Sequence, residues 1–60
     1  MSRYRAYHVD EHGHFHGVPH IFSAETDEDA IPQAKQVVDG YDVELWEEGS
    51  RLVTKLKRRD

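Results

Sequence analysis

Thr26-Asp27-Glu28-Asp29-Ala30-Ile31-Pro32-Gln33-Ala34-Lys35-Gln36-Val37-Val38 is the stretch of this chain that reads as a helix, and the other segments arrange themselves around it. Ala30, Ile31, Ala34, Val37 and Val38 fall at i, i+1, i+4, i+7 and i+8, which makes one stripe of an amphipathic helix and matches no strand. Thr26 has the side chain of an N-cap, and Asp27, Glu28 and Asp29 then fill the first turn, where acids favour the positive end of the helix dipole. Asp29 holds the capping-box position, and Gly40 is a natural stop. The predicted span is 27–39. Pro32 conflicts with it, because at the sixth position its ring meets the carbonyl of Glu28, at a cost of about 3 kcal/mol. Either the helix kinks with Pro32 on the solvent side, or regular helix begins near Asp29. The stripe survives both, and a distorted start is the preferred reading.

Downstream, Tyr41-Asp42-Val43-Glu44-Leu45-Trp46 alternates with period two, and residues 51 to 57, Arg-Leu-Val-Thr-Lys-Leu-Lys, supply a partner strand. A tight turn at Glu48-Gly49 pairs Leu45 with Leu52, Val43 with Thr54 and Tyr41 with Leu56 on the inner face. It pairs Trp46 with Arg51, Glu44 with Val53 and Asp42 with Lys55 on the outer face. Upstream, Arg3 to Val9 reads as a strand rich in aromatic and branched residues. Asp10-Glu11-His12-Gly13 follows as a type I turn with Gly13 left-handed, which sets Asp10 opposite His14, Val9 opposite Phe15 and His8 opposite His16. The next strand, from His14 to about Ser23, is interrupted by Gly17 and Pro19 and is therefore expected at a sheet edge.

The predicted fold is α+β, in the order ββαββ: two antiparallel hairpins form a sheet with one helix packed on one face. All 60 residues make one small domain, and 57–60 form a frayed basic tail. One helix covers only one face of a sheet. The other face is expected to carry Trp46 and Val53, with Tyr4, Ala6, His8 and His16 given that register of the first hairpin, and to be covered by a second copy of the chain.

A chain of 60 residues buries only about 60% of the surface its unfolded form exposes, so its stability is expected to be marginal without a prop. The absence of cysteine removes disulfides and thiolate metal sites, which leaves a second copy or a histidine-held metal. No run of 18 apolar residues spans a membrane, Met1 to Arg5 has no apolar signal segment, and a cytoplasmic location is expected. The net charge of −4 is unevenly spread: positions 10–48 hold eleven acids and one base, Lys35, whereas 51–59 hold five bases and no acid. The acidic middle repels nucleic acid and anionic lipid.

His8, His12, His14, His16 and His20 lie within thirteen positions. His14 and His16 share a strand face, and His8 opposes His16, so His8, His14 and His16 form a candidate site for zinc, nickel or copper, with Asp10 near enough to join. The competing reading is a set of solvent-facing imidazoles with little around them to orient a ligand. Clustered histidines also suit a pH response, since several charging near pH 6 repel one another. Glu25, Asp27, Glu28 and Asp29 read as helix capping and a solvated face, with no calcium-loop glycine among them. There is no cysteine nucleophile, and neither Ser23 nor Ser50 sits in an elbow motif, so no enzymatic activity and no cofactor are expected. Arg3, Arg5, Arg51, Lys55, Lys57, Arg58 and Arg59, with Tyr4, Tyr7 and Trp46 as stacking rings, are the candidates for weak nucleic-acid binding. Trp46 beside Arg51 reads equally as a local cation–π pair and as an interface anchor.

Tyr4-Arg5-Ala6-Tyr7 with Asp10-Glu11-His12-Gly13-His14, Asp27-Glu28-Asp29-Ala30-Ile31 with Ala34, and Asp42-Val43-Glu44-Leu45-Trp46 with Arg51-Leu52-Val53 resemble a group of short uncharacterised proteins from soil and plant-associated alphaproteobacteria. The resemblance spans nearly the whole chain, and Glu44-Leu45-Trp46…Arg51 is its most specific part. It implies a bacterial origin and a compact single domain and carries over no functional residue; Pro32 and the dense histidines depart from it. By fold alone, ββαββ is also similar to small antitoxin-like or regulatory domains that pair as dimers. The leading reading is a non-enzymatic interaction domain that homodimerises through its sheet. A metal-binding or pH-responsive histidine protein is the alternative, and a nucleic-acid-binding accessory protein stands third.

Overall fold

A computed structural model describes residues 1–48 and 51–58. Four strands and one helix follow in the order β1 (Ser2–Val9), β2 (Phe15–Ala24), α1 (Asp27–Lys35), β3 (Asp42–Glu47) and β4 (Arg51–Leu56). The strands form one antiparallel sheet ordered β2-β1-β3-β4, which is the ββαββ fold expected from the pattern. β2 lies at an edge, as its glycine and proline require.

The first hairpin takes the expected register, with Val9 opposite Phe15 and His8 opposite His16. Gly13 has a φ of 81°, and the Asp10 carboxylate accepts the backbone N–H groups of His12 and His14, both at 2.9 Å. An aspartate that closes its own turn in this way satisfies donors a hairpin loop otherwise leaves to water. Between the pairs Ala6–His20 and His8–His16, β2 carries two more residues than β1; Gly17 lies in that bulge with a φ of 70°.

The second hairpin departs from expectation. Glu47 pairs with Arg51, Leu45 with Thr54 and Val43 with Leu56, and a bulge separates Leu45 from Trp46. Arg51 thus pairs with Glu47 instead of Trp46, and Gly49 of the expected turn, with Ser50, lies outside the described residues. The bulge has a consequence for both faces: Val53, expected outside, packs against the core, and Leu52, expected inside, pairs with Trp46 and is 39% exposed. In the tail, the Arg58 backbone N–H donates to Asp42 Oδ1 at 2.8 Å, so position 58 is tied to β3; Arg59 and Asp60 lie outside the described residues.

α1 opens regularly at Asp27, without the distorted start expected from Pro32, and the Ala30 N–H donates to the Thr26 carbonyl at 3.0 Å. Thr26 is the N-cap, its hydroxyl accepting the Asp29 N–H at 3.1 Å. Pro32 sits inside the helix on its exposed side. Regular α-helix ends at Lys35, short of the expected residue 39. Gln36, Val37 and Val38 continue through i→i−3 bonds to Gln33, Ala34 and Lys35 at 3.2, 3.1 and 3.4 Å, a tightened last turn. Gly40, at φ 75°, turns the chain into β3.

Ala30 and Ala34 are fully buried against the sheet, with Ile31, Val37 and Val38 packed around them. Tyr4, Ala6, Ala24, Val43 and Leu45 complete the core. Four of these seven buried residues are alanine, so the helix lies close to the sheet and the apolar volume is small. The buried Tyr4 hydroxyl finds a partner in Asp27 Oδ1 at 2.8 Å.

Candidate functional site

Direct cross-strand partners share a face of the sheet, so the register locates every outward side chain. Ile21 opposes Arg5, Arg5 opposes Trp46 and Trp46 opposes Leu52. These four residues, one from each strand, form a row across the whole face opposite the helix. Tyr7 and Glu44 form the next row with Lys55, and the Phe15 ring stacks on Tyr7 with centroids 4.6 Å apart. On the other side of the Ile21–Leu52 row stand Arg3 and Glu48, whose side chains approach to 3.6 Å. Phe15 is 54% and Ile21 56% exposed, which is unusual for large apolar side chains gathered on one surface.

Local bonds hold this surface in shape. The Trp46 indole N–H donates to Glu44 Oε1 at 3.1 Å, which pins the ring along the strand. The Arg5 guanidinium has its pKa raised, chiefly by its side-chain hydrogen bond with Tyr7. Arginine keeps its charge at any pH the fold survives, so Arg5 sets a cation in the middle of the apolar row.

Only Trp46 of the expected interface set lies on this face. Tyr4 and Ala6 are 1% and 0% exposed beneath the helix, and Val53 is drawn to the core by the bulge. The reason is the parity of β1: Arg3 and Arg5 turn to solvent, which forces Tyr4 and Ala6 inward. That alternation separates Arg5 and Tyr7 from Tyr4 and Ala6, and the packing of α1 and β3 decides which set meets the helix. Nothing in the sequence marked Leu52, because the β4 bulge that turns it outward depends on pairing with β3.

His8, His16 and His20 share the other side of the sheet, past the end of α1, and His12 and His14 lie in the exposed loop between β1 and β2. His8 Nε2–H donates to the Val37 carbonyl at 2.7 Å, satisfying one of the acceptors left at the helix end. The His8 ring meets His20 edge-on at 5.4 Å, and His16 stacks on Tyr41 at 4.8 Å. His16 Nε2–H donates to Asp10 Oδ2 at 2.6 Å, and the His14 Nδ1 lies 3.9 Å from the same oxygen. Asp10 is held well below the usual carboxylate range, first by His16 and then by the turn's backbone N–H groups. His8, His14 and His16 are thus not assembled as a ligand set. His8 is committed to the helix and His16 to Asp10, and no group of three metal-ligating side chains is arranged for an ion among the described residues.

The nucleic-acid candidates are likewise divided. Tyr4 is buried, so it offers no stacking surface. Arg51 grips both Asp27 oxygens at 2.7 and 2.9 Å and donates from Nε to Glu47 Oε1 at 2.9 Å. It therefore pairs with carboxylates and not with Trp46. Arg59 lies outside the described residues.

No helix among the described residues is long and apolar enough to cross a membrane. No family model, no curated protein and no solved structure matches the chain.

Proposed function

We infer that this chain is a non-enzymatic interaction domain whose open sheet face docks a second copy of itself. The observation that carries the reading is the row Ile21–Arg5–Trp46–Leu52, which crosses all four strands with Ile21, Arg5 and Leu52 exposed and Trp46 half-buried, on a sheet whose other face already holds the helix. Two physical arguments support it. The core is small and alanine-rich, so monomer stability is slight and a partner that covers Phe15, Ile21 and Leu52 adds apolar burial where it is most needed. Tryptophan, tyrosine and arginine together are the residue types that dominate interface energetics.

Light scattering after gel filtration is the test. At a chain concentration of about 500 μM, suited to a micromolar dimer, wild type elutes at twice the mass of one chain. Trp46→Ala elutes at the single-chain mass with an unchanged circular dichroism spectrum. A wild-type protein that stays at the single-chain mass at that concentration overturns the reading.

A further inference from the structure

The face has a symmetry of its own. Read across the strands, its central row runs apolar, cationic, aromatic, apolar: Ile21, Arg5, Trp46, Leu52. A twofold axis lying along the strands midway between β1 and β3 reverses each row onto itself. Ile21 then faces the partner's Leu52, and Arg5 faces the partner's Trp46, a guanidinium over an indole. In the row on one side, Arg3 faces the partner's Glu48. In the row on the other, Tyr7 faces the partner's Glu44, a hydroxyl donor over a carboxylate. Three successive rows are complementary under a single operation.

The other simple arrangement fails on charge. An axis lying along the central row sets Arg5 on the partner's Arg5 and Trp46 on the partner's Trp46, so the like charges meet at the centre. We propose, building on the reading above, that two copies pack face to face about the axis along the strands, with reciprocal Ile21–Leu52 and Arg5–Trp46 contacts. Twofold interfaces are self-complementary in this way, residue i on j and j on i. Sheets stacked face to face keep their strands within about 30° of one another, which such an axis allows. Strands about 4.8 Å apart and six residues of about 3.3 Å each make a footprint of roughly 400 Å² on each copy. Doubled, that falls below the roughly 1,200 Å² of a standard specific interface and in the range of weak, transient contacts, so the dimer is reversible and micromolar or weaker.

Ile21 and Leu52 stand on opposite edge strands, three strand spacings apart, so charges placed there cannot pair within one chain. The experiment uses that separation. Ile21→Glu and Leu52→Lys are prepared as two separate proteins, and dissociation constants are measured by sedimentation equilibrium for wild type, for each variant alone and for their equimolar mixture. Each variant alone dimerises at least about tenfold more weakly than wild type, because a dimer of either variant presses two unpaired charges against apolar side chains of the partner. In the mixture, the glutamate introduced into one chain meets the lysine introduced into the other. The mixture therefore recovers a dimer within about threefold of wild type, because one native Ile21–Leu52 contact is kept and the other becomes an ion pair. Circular dichroism confirms that each variant is folded. A wild-type dimer with weakened single variants and no recovery on mixing overturns this axis and leaves the docking face standing. A wild-type dimer that neither substitution weakens places the contact elsewhere and overturns the axis and the docking face together. A wild-type monomer overturns both, and so does a monomer whose Trp46 emission is quenched by a single-stranded oligonucleotide.

Discussion

Asp27 shows how one carboxylate joins helix to sheet. It accepts from the Tyr4 hydroxyl of β1 and from the Arg51 guanidinium of β4, while sitting in the first turn of α1. Its pKa is lowered, chiefly by the hydrogen bond from Arg51 and then by that from Tyr4. Glu47 is lowered as well, by Ser2 and then Arg51. The Tyr4 hydroxyl is pushed up, first by burial and then by its bond to Asp27. A carboxylate whose folded pKa lies below its unfolded value stabilises the fold above the unfolded pKa, near 4, and loses that contribution as pH falls through the folded value. Wild type is therefore expected to lose thermal stability below about pH 4. Asp27→Asn melts lower than wild type at pH 7 and falls less between pH 5 and pH 3. Thermal melts at those three pH values check both statements, and equal pH dependence in the two proteins counts against this role for Asp27.

At the scale of elements, α1 tolerates a residue that works against it. Pro32 lies in the helix interior, where it has no N–H to offer the Glu28 carbonyl and its ring crowds the turn before it. The cap, the acidic first turn and the packing of Ala30 and Ala34 hold the helix regardless. Because Pro32 is on the exposed side, replacing it leaves the core untouched. Pro32→Ala is expected to stabilise the protein by about 1–3 kcal/mol, the interior penalty of proline less the chain entropy it removes from the unfolded state. A urea titration reads this as a higher midpoint at unchanged slope. A lower midpoint shows that the ring is better accommodated than the lost hydrogen bond implies. The tightened turn after Lys35, with its i→i−3 bonds and the His8 bond to Val37, follows the same logic: a helix too short to finish regularly is closed by the sheet beside it.

The whole molecule has two layers, helix and sheet, and among the described residues no element packs on the second face of the sheet. The helix shields Tyr4, Ala6, Val43 and Leu45, while Phe15, Ile21, Trp46 and Leu52 face outward. If a second copy covers that face, unfolding is coupled to dissociation and the melting temperature depends on concentration. Each tenfold rise in chain concentration above the dissociation constant adds about 1.4 kcal/mol per dimer, which, shared between two unfolding chains of this size, is roughly 5 °C. Scanning Trp46 emission against temperature at 20, 200 and 2000 μM (about the range in which a weak dimer fills) checks it. A single melting temperature at all three concentrations is the contrary result.

The sequence by itself determined what is local: the helix from its stripe and cap, the first hairpin from Asp10 and Gly13, the edge position of β2 from Gly17 and Pro19, and the ββαββ order. These follow from interactions between residues a few positions apart, so no distant partner is needed to read them. The tertiary structure alone decided which parity of β1 is buried, where the bulge in β4 falls, and that His8, His14 and His16 take separate partners. A strand presents two alternating faces, and only the elements packed around it determine which one meets the helix; with Tyr4 and Ala6 on one face and Arg5 and Tyr7 on the other, that choice belonged to β3 and α1.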